Sequence, residues 1–153
     1  MIVRYLTDQF DLEIGETMGV DIRIKRLKIN DTTITLQIWD FVGEDRFRIM
    51  FSSYALGSSA GIFMYDITHK ISLSNMDEWL QIYKNINPQS PVIMVGGKLD
   101  LLDIRAVSSE EAISISKSYD FYDYIECSAK IGENIEIIFN KLLNKSMENA
   151  GFI

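Results

Sequence analysis

One cysteine, Cys127, and one histidine, His69, occur in the 153 residues. A single thiol excludes an internal disulfide and suits a reducing compartment. A lone imidazole with one distant thiol cannot assemble a transition-metal site, so His69 reads as a surface residue of a polar loop and Cys127 as a small buried hydrophobe. Basic residues are scarce: 15 Lys and Arg against 22 Asp and Glu give a formal charge of -7 and a pI near 4.7, which removes the electrostatic footprint of a nucleic-acid binder. Long apolar runs are missing, and the start MIVRYLTDQF has neither a charged leader nor an extended apolar region. The last residues, MENAGFI, carry no prenylation box. The expectation is a soluble, cytoplasmic chain with no nucleic-acid partner and no membrane anchor of its own. The composition that remains, 47% hydrophobic and 24% charged, is that of a folded globular protein, and the length fits a single domain over residues 1–153.

Residues 20–29 (VDIRIKRLKI) and 34–39 (ITLQIW) alternate apolar and polar around the turn signal Asn30-Asp31-Thr32, which predicts a hairpin with Arg23, Lys25 and Lys28 facing solvent. GIFMYDI (61–67) and PVIMVGG (91–97) are nearly continuous apolar runs, the pattern of interior parallel strands covered on both faces. Ser72 or Ser74 is placed to cap a helix carrying Leu73, Met76, Trp79, Leu80 and Tyr83 and ended by Pro88 and Pro91. Ser108 with Glu111 forms a capping-box signature before Ala112, Ile113 and Ile115. A short strand, DYIEC, precedes a last amphipathic helix with Ile135, Ile138, Phe139, Leu142 and Leu143. Strand and helix alternate from residue 61, so the fold class is α/β: an open, mostly parallel sheet with one antiparallel hairpin strand and helices on both faces. Ligands of such sheets bind beyond the carboxyl ends of the strands, at Asp40, Asp66, Gly97 and Ser128 here.

Four segments at those ends carry possible chemistry. In WDFVGEDRF, Asp40 can hold magnesium through water and Gly43 can bring its N–H close to a phosphate oxygen, although the tetrapeptide alone is equally a tight turn. In ETMGVD, Thr17 precedes the hairpin, where its hydroxyl can reach the same ion or simply cap a turn. In GGKLD, Asp100 can accept two hydrogen bonds from N–H groups on a guanine edge while the stem of Lys98 packs over the base; a surface ion pair is the plain alternative. In ECSAK, Ala129 can offer its N–H to a base carbonyl, with Ser128 and Lys130 bracing a loop that is otherwise an ordinary strand-to-helix connection.

Taken in order, ETMGVD, WDFVGEDRFR, VGGKLD and ECSAK, with YALGSSAGIFMYDIT between them, resemble the Ras superfamily and most closely its Rab-type small GTPases. The resemblance spans essentially the whole chain. It implies a Ras-like fold and a guanine-nucleotide switch hydrolysing GTP to GDP. Thr17 and Asp40 would hold Mg2+, and Gly43, Gly97, Lys98, Asp100, Ser128, Ala129 and Lys130 would surround the nucleotide. Effector and regulatory proteins would read segments 11–19 and 41–52.

The sequence also departs from the family. The Walker A loop, G-x-x-x-x-G-K-[ST], is absent, and MIVRYLTDQF resembles the latter part of the helix that follows it. The central first strand of the fold would be missing with the loop, leaving an N-terminally truncated G domain from which tight GTP binding is not expected. An upstream segment hidden by an internal start, a shortened non-catalytic interaction module, and a strand and loop supplied in trans are the three accounts. Glu44 stands where the family has a water-orienting glutamine; a carboxylate accepts a hydrogen bond but cannot donate one, so slow turnover follows. Gly97 stands where the family usually has asparagine, which weakens affinity for guanine while Asp100 preserves its selection.

Overall fold

The structure, a computed structural model, describes residues 1–10, 19–29 and 31–152. Thr17 and most of segment 11–19, together with Asn30 of the hairpin turn, lie outside the described residues.

The alternating segments form β1 (Val20–Ile29) and β2 (Thr32–Phe41), antiparallel from Val20↔Phe41 to Ile29↔Thr32. Arg23 and Lys28 face solvent as the pattern requires, but Lys25 does not. Its ammonium lies 3.6 Å from the centre of the Tyr5 ring and donates to the Tyr5 carbonyl at 2.6 Å, beside α1 (Ile2–Thr7). A lysine on a half-covered strand can bury its stem and still satisfy its charge this way.

The second sheet is parallel, in the order β3 (Gly61–Asp66), β4 (Val92–Gly97), β5 (Asp123–Glu126). Every residue of β4 is buried, as its unbroken apolar run implies. β3 differs from the expectation of an interior strand. Among the described residues it forms an edge of the three-stranded sheet, and Met64 is 43% exposed there.

Period two splits β4 between two cores. Val92 and Met94 join Tyr65, Leu80, Tyr83 and Phe121 on one face. Ile93 and Val95 join Tyr5, Ile138, Phe139 and Leu142 on the other, and Leu36 and Ile38 of the hairpin pack against that second cluster. Each fully buried aliphatic side chain contributes roughly 1.5–3 kcal/mol. The first face is covered by α2 (Arg48–Ala55), α3 (Met76–Ile86) and α4 (Ser109–Ser118), the second by α1 and α5 (Ile135–Asn149). Tyr5 of α1 stacks on Phe139 of α5 with ring centres 3.7 Å apart.

Capping followed the sequence in one helix and not in the other. Ser108 accepts from the Glu111 N–H at 3.1 Å and starts α4, but Ile113 turns outward, leaving Ala112 and Ile115 as its apolar face. α3 starts after Asn75, in a left-handed conformation, with a separate 3-10 turn over Lys70–Leu73. Ser72 is not its cap: the hydroxyl accepts from the Asp66 N–H at 2.9 Å and donates to the His69 carbonyl at 2.6 Å, bracing the loop after β3 instead. His69 itself is exposed, and Cys127 is fully buried one residue beyond β5.

Candidate functional site

β4 and β5 end side by side, and two loops leave them. Backbone bonds fasten the loops together: the Cys127 N–H donates to the Gly96 carbonyl at 2.8 Å, and the Leu99 N–H to the Cys127 carbonyl at 2.9 Å. Lys98 makes the turn out of β4 in the left-handed region, φ +67°, an uncommon conformation for a side chain of this size. The chain then tightens into a 3-10 helix over Leu99–Ile104, which carries Asp100 toward the second loop.

There the carboxylate of Asp100 accepts from the Ser128 hydroxyl at 2.5 Å, and the Lys130 ammonium stands 4.0 Å from its other oxygen. The Asp100 side chain is only 14% exposed and Ser128 is fully buried, so little water competes for the bond. Ser128 is itself held on three sides. Its N–H donates to the Glu133 carbonyl, its carbonyl accepts from the Gly132 N–H at 2.9 Å, and its hydroxyl accepts from the Ile131 N–H at 3.3 Å. Ala129 and Lys130 occupy the turn between these anchors. The structure therefore brings together Gly97, Lys98, Asp100, Ser128, Ala129 and Lys130, an array of one partly buried carboxylate with adjacent backbone donors. A carboxylate acceptor flanked by backbone donors can pair with a group that presents N–H groups beside a carbonyl.

Lys98 reaches sideways to Asp66 at the end of β3, with Nζ 2.6 Å from the carboxylate. Burial opposes ionisation of Asp66, but hydrogen bonds from Lys98 and Thr68 outweigh it and hold the carboxyl below its ordinary range. The lysine side chain is 58% exposed and the Asp66 side chain 21%, so opening this pair leaves a mostly buried carboxylate that still accepts from the Thr68 N–H and hydroxyl.

A second layer lies behind the loops. Arg105, which follows the Asp100 turn, makes two bonds of 2.7 and 2.6 Å to Glu126, which precedes Ser128. Glu126 also accepts from Tyr124 at 2.5 Å and Ser109 at 3.1 Å, and the Tyr124 hydroxyl meets that of Tyr65 at 2.8 Å. The Arg105 guanidinium holds the Glu126 carboxyl below its ordinary value, and burial pushes both tyrosines up. The sequence reading missed this network; the signal was the pairing of an acid just before CSAK with an arginine just after the KLD turn.

The remaining candidates sit on the hairpin side. Asp40 lies at the end of β2, opposite Asp21 in the register. Gly43 is exposed, with open space where a side chain would stand. Glu44 is exposed and ion-paired with Arg46 at 2.7 Å. Thr17 is outside the described residues, so of the suggested magnesium ligands the structure describes only Asp40. Among the described residues no three His, Cys, Asp or Glu side chains cluster as a metal centre; a carboxylate at a strand end suits an ion completed by a hydroxyl, phosphate oxygens and water.

The sequence profile of the Ras family matches residues 1–148. The chain belongs to the Ras family. It is 34% identical over 149 residues to the Ras-related protein RABA6b of Arabidopsis thaliana, covering 97% of this chain and 65% of the relative. It is 38% identical over 144 residues to the Ras-related protein Rab-1 of Theileria annulata and to that of Theileria parva, covering 93% of this chain and 65% of each relative. The chain thus spans slightly under two thirds of the length of these curated relatives. No helix among the described residues is long and apolar enough to cross a membrane.

Proposed function

We propose that this chain serves a guanine-nucleotide switch of the Rab-like type, with Asp100 as the residue that selects guanine. The observation that carries the proposal is the Asp100–Ser128 bond of 2.5 Å, which fixes a partly buried carboxylate beside the Ala129 turn. Asp100 accepts from the two N–H groups of the guanine edge, and the Ala129 N–H donates to the base carbonyl. Adenine offers an amino group where guanine has that carbonyl, so two donors would face each other. The stem of Lys98 covers the base plane once its ammonium leaves Asp66.

On the hairpin side, Asp40 and Thr17 would hold the magnesium ion and Gly43 would donate its N–H to the terminal phosphate. The ion, when bound, neutralises charge on the phosphate oxygens. Glu44 would orient water as an acceptor only, which makes hydrolysis slow. Effector and regulatory proteins would read segments 11–19 and 41–52; Ile49, 86% exposed on α2, is an apolar contact available to them.

Amide NMR of this chain titrated with GMP and with AMP tests the base-selecting part. GMP is expected to shift Leu99, Ala129 and Lys130, and AMP to leave them in place. Equal shifts by both nucleotides would remove the selectivity, and no shift with either would leave a protein-interaction module that does not bind nucleotide.

A further inference from the structure

Gly97 is not a glycine that its backbone demands. Its φ is outside the left-handed region, where Gly19, Gly57, Gly132 and Gly151 are found. What occupies the space of its missing side chain is Met64: a Cβ at 97 would lie 2.5 Å from the Met64 methyl carbon, while the next atom, the Tyr65 carbonyl oxygen, is at an ordinary 3.4 Å. Register explains the encounter. Met64 pairs with Val95 and Asp66 with Gly97, so Met64 and Gly97 are diagonal neighbours on one face of the sheet. They continue the Ile62 and Val95 rows of the second core to the strand ends, where Met64 is 43% exposed.

Gly96, on the opposite face, is a contrast. A Cβ there would meet Ile67 at 2.9 Å, the Tyr65 hydroxyl at 3.0 Å and Glu126 at 3.2 Å, all parts of the packed core and its polar network. At Gly97, by contrast, the close obstruction is a single flexible tip, partly open to solvent, at a position next to Lys98 in the chain.

We propose that Met64 is a specificity-determining residue of the base site: its thioether fills the position of a side chain at 97 and forms an apolar wall against the purine. The proposal rests on the guanine reading above. A polarizable sulfur suits contact with an aromatic ring and offers no hydrogen-bond donor to it. The base edge facing residue 97 is therefore held by packing, and an acceptor atom on that edge, such as the purine N7, contributes little to affinity.

The test uses this chain with its methionine methyl groups labelled with carbon-13, Met64 being assigned by the signal lost in Met64→Leu. On titration with GMP, the Met64 methyl should move in step with the Ala129 amide, and 7-deaza-GMP should bind within about twofold of GMP. Gly97→Asn alone should lower the melting temperature, and Met64→Ala combined with Gly97→Asn should recover most of that loss. The double variant should then favour GMP over 7-deaza-GMP, because an amide donor now faces the ring. If GMP shifts the Ala129 amide but leaves the Met64 methyl unmoved, or if 7-deaza-GMP binds far more weakly to the native chain, the role of Met64 is overturned while the guanine reading stands. If neither signal moves, both fall. Strictly additive melting shifts in the double variant would overturn the coupling of Met64 to Gly97 without any nucleotide present.

Discussion

The hydroxyl of Ser128 donates to the carboxylate of Asp100 across 28 residues of chain, at 2.5 Å. Because Ser128 is buried and its backbone is fixed on both sides, the bond orients Asp100 before any base arrives. Removing the hydroxyl leaves the carboxylate in place but free to rotate, and loses a bond to a charged group, about 1.5–3 kcal/mol. Ser128→Ala should therefore weaken GMP binding by about tenfold or more, read by the same amide titration, with a smaller loss in Ser128→Thr.

The Arg105–Glu126 pair should hold the two loops together from behind. Both side chains are mostly buried, at 18% and 13% exposure, and removing one partner of such a pair costs roughly 3–5 kcal/mol. Glu126→Gln should lower stability by about that amount in urea unfolding, and Arg105→Lys, which keeps charge but loses the two-pronged geometry, by less.

Acid should act through the same carboxylate. Hydrogen bonds from Arg105 depress the Glu126 pKa below the usual 4.5, so its contribution to stability is fully present above that pH and is lost as the pH falls through the lowered folded value. Asp66 acts in the same direction from its usual 3.8. Stability measured by urea unfolding from pH 6 downward should drop steeply in native protein and less steeply in Glu126→Gln.

Alkali should act through the tyrosines. Burial raises Tyr65 and Tyr124 above the usual 10.0, so the folded state keeps protons that the unfolded state releases. Their contribution is complete below pH 10 and is lost as the pH rises from there through the folded values. Tyr124→Phe should cost about 1 kcal/mol at neutral pH and flatten the alkaline loss of stability.

Glu44 should limit hydrolysis. With a strand and a GxxxxGK[ST] loop fused ahead of Met1, Glu44→Gln should raise the rate of GTP turnover, because the amide can donate as well as accept and adds no negative charge beside the phosphate. A native protein that turns over faster than the variant would contradict this.

The elements were legible wherever one physical signal dominated. β4 announced itself through an unbroken apolar run, α5 through five apolar residues on one face, and α4 through the Ser108 cap, each confirmed by the structure. Local signals failed where distant groups decided the outcome. Ser72 had the chemistry of a helix cap, but Asp66 and His69 claimed its hydroxyl; Lys25 had the spacing of a solvent-facing residue, but Tyr5 lay against it. The same holds at the site. Motif order marked Lys98, Asp100 and Ser128, whose positions the structure brings together, whereas the Lys98–Asp66 pair and the Met64 tip beside Gly97 depend on register between strands that no local pattern encodes.

The most direct test exchanges the acceptor at position 100. Xanthine carries a carbonyl where guanine carries its amino group, so it needs a donor from the protein where guanine needs an acceptor. Asp100→Asn, which can keep the Ser128 bond through its amide oxygen, should turn a preference for GMP over XMP into a preference for XMP, measured by amide titration of both proteins with both nucleotides. Loss of both nucleotides to the same extent, or an unchanged preference for GMP, would show that Asp100 does not read the base.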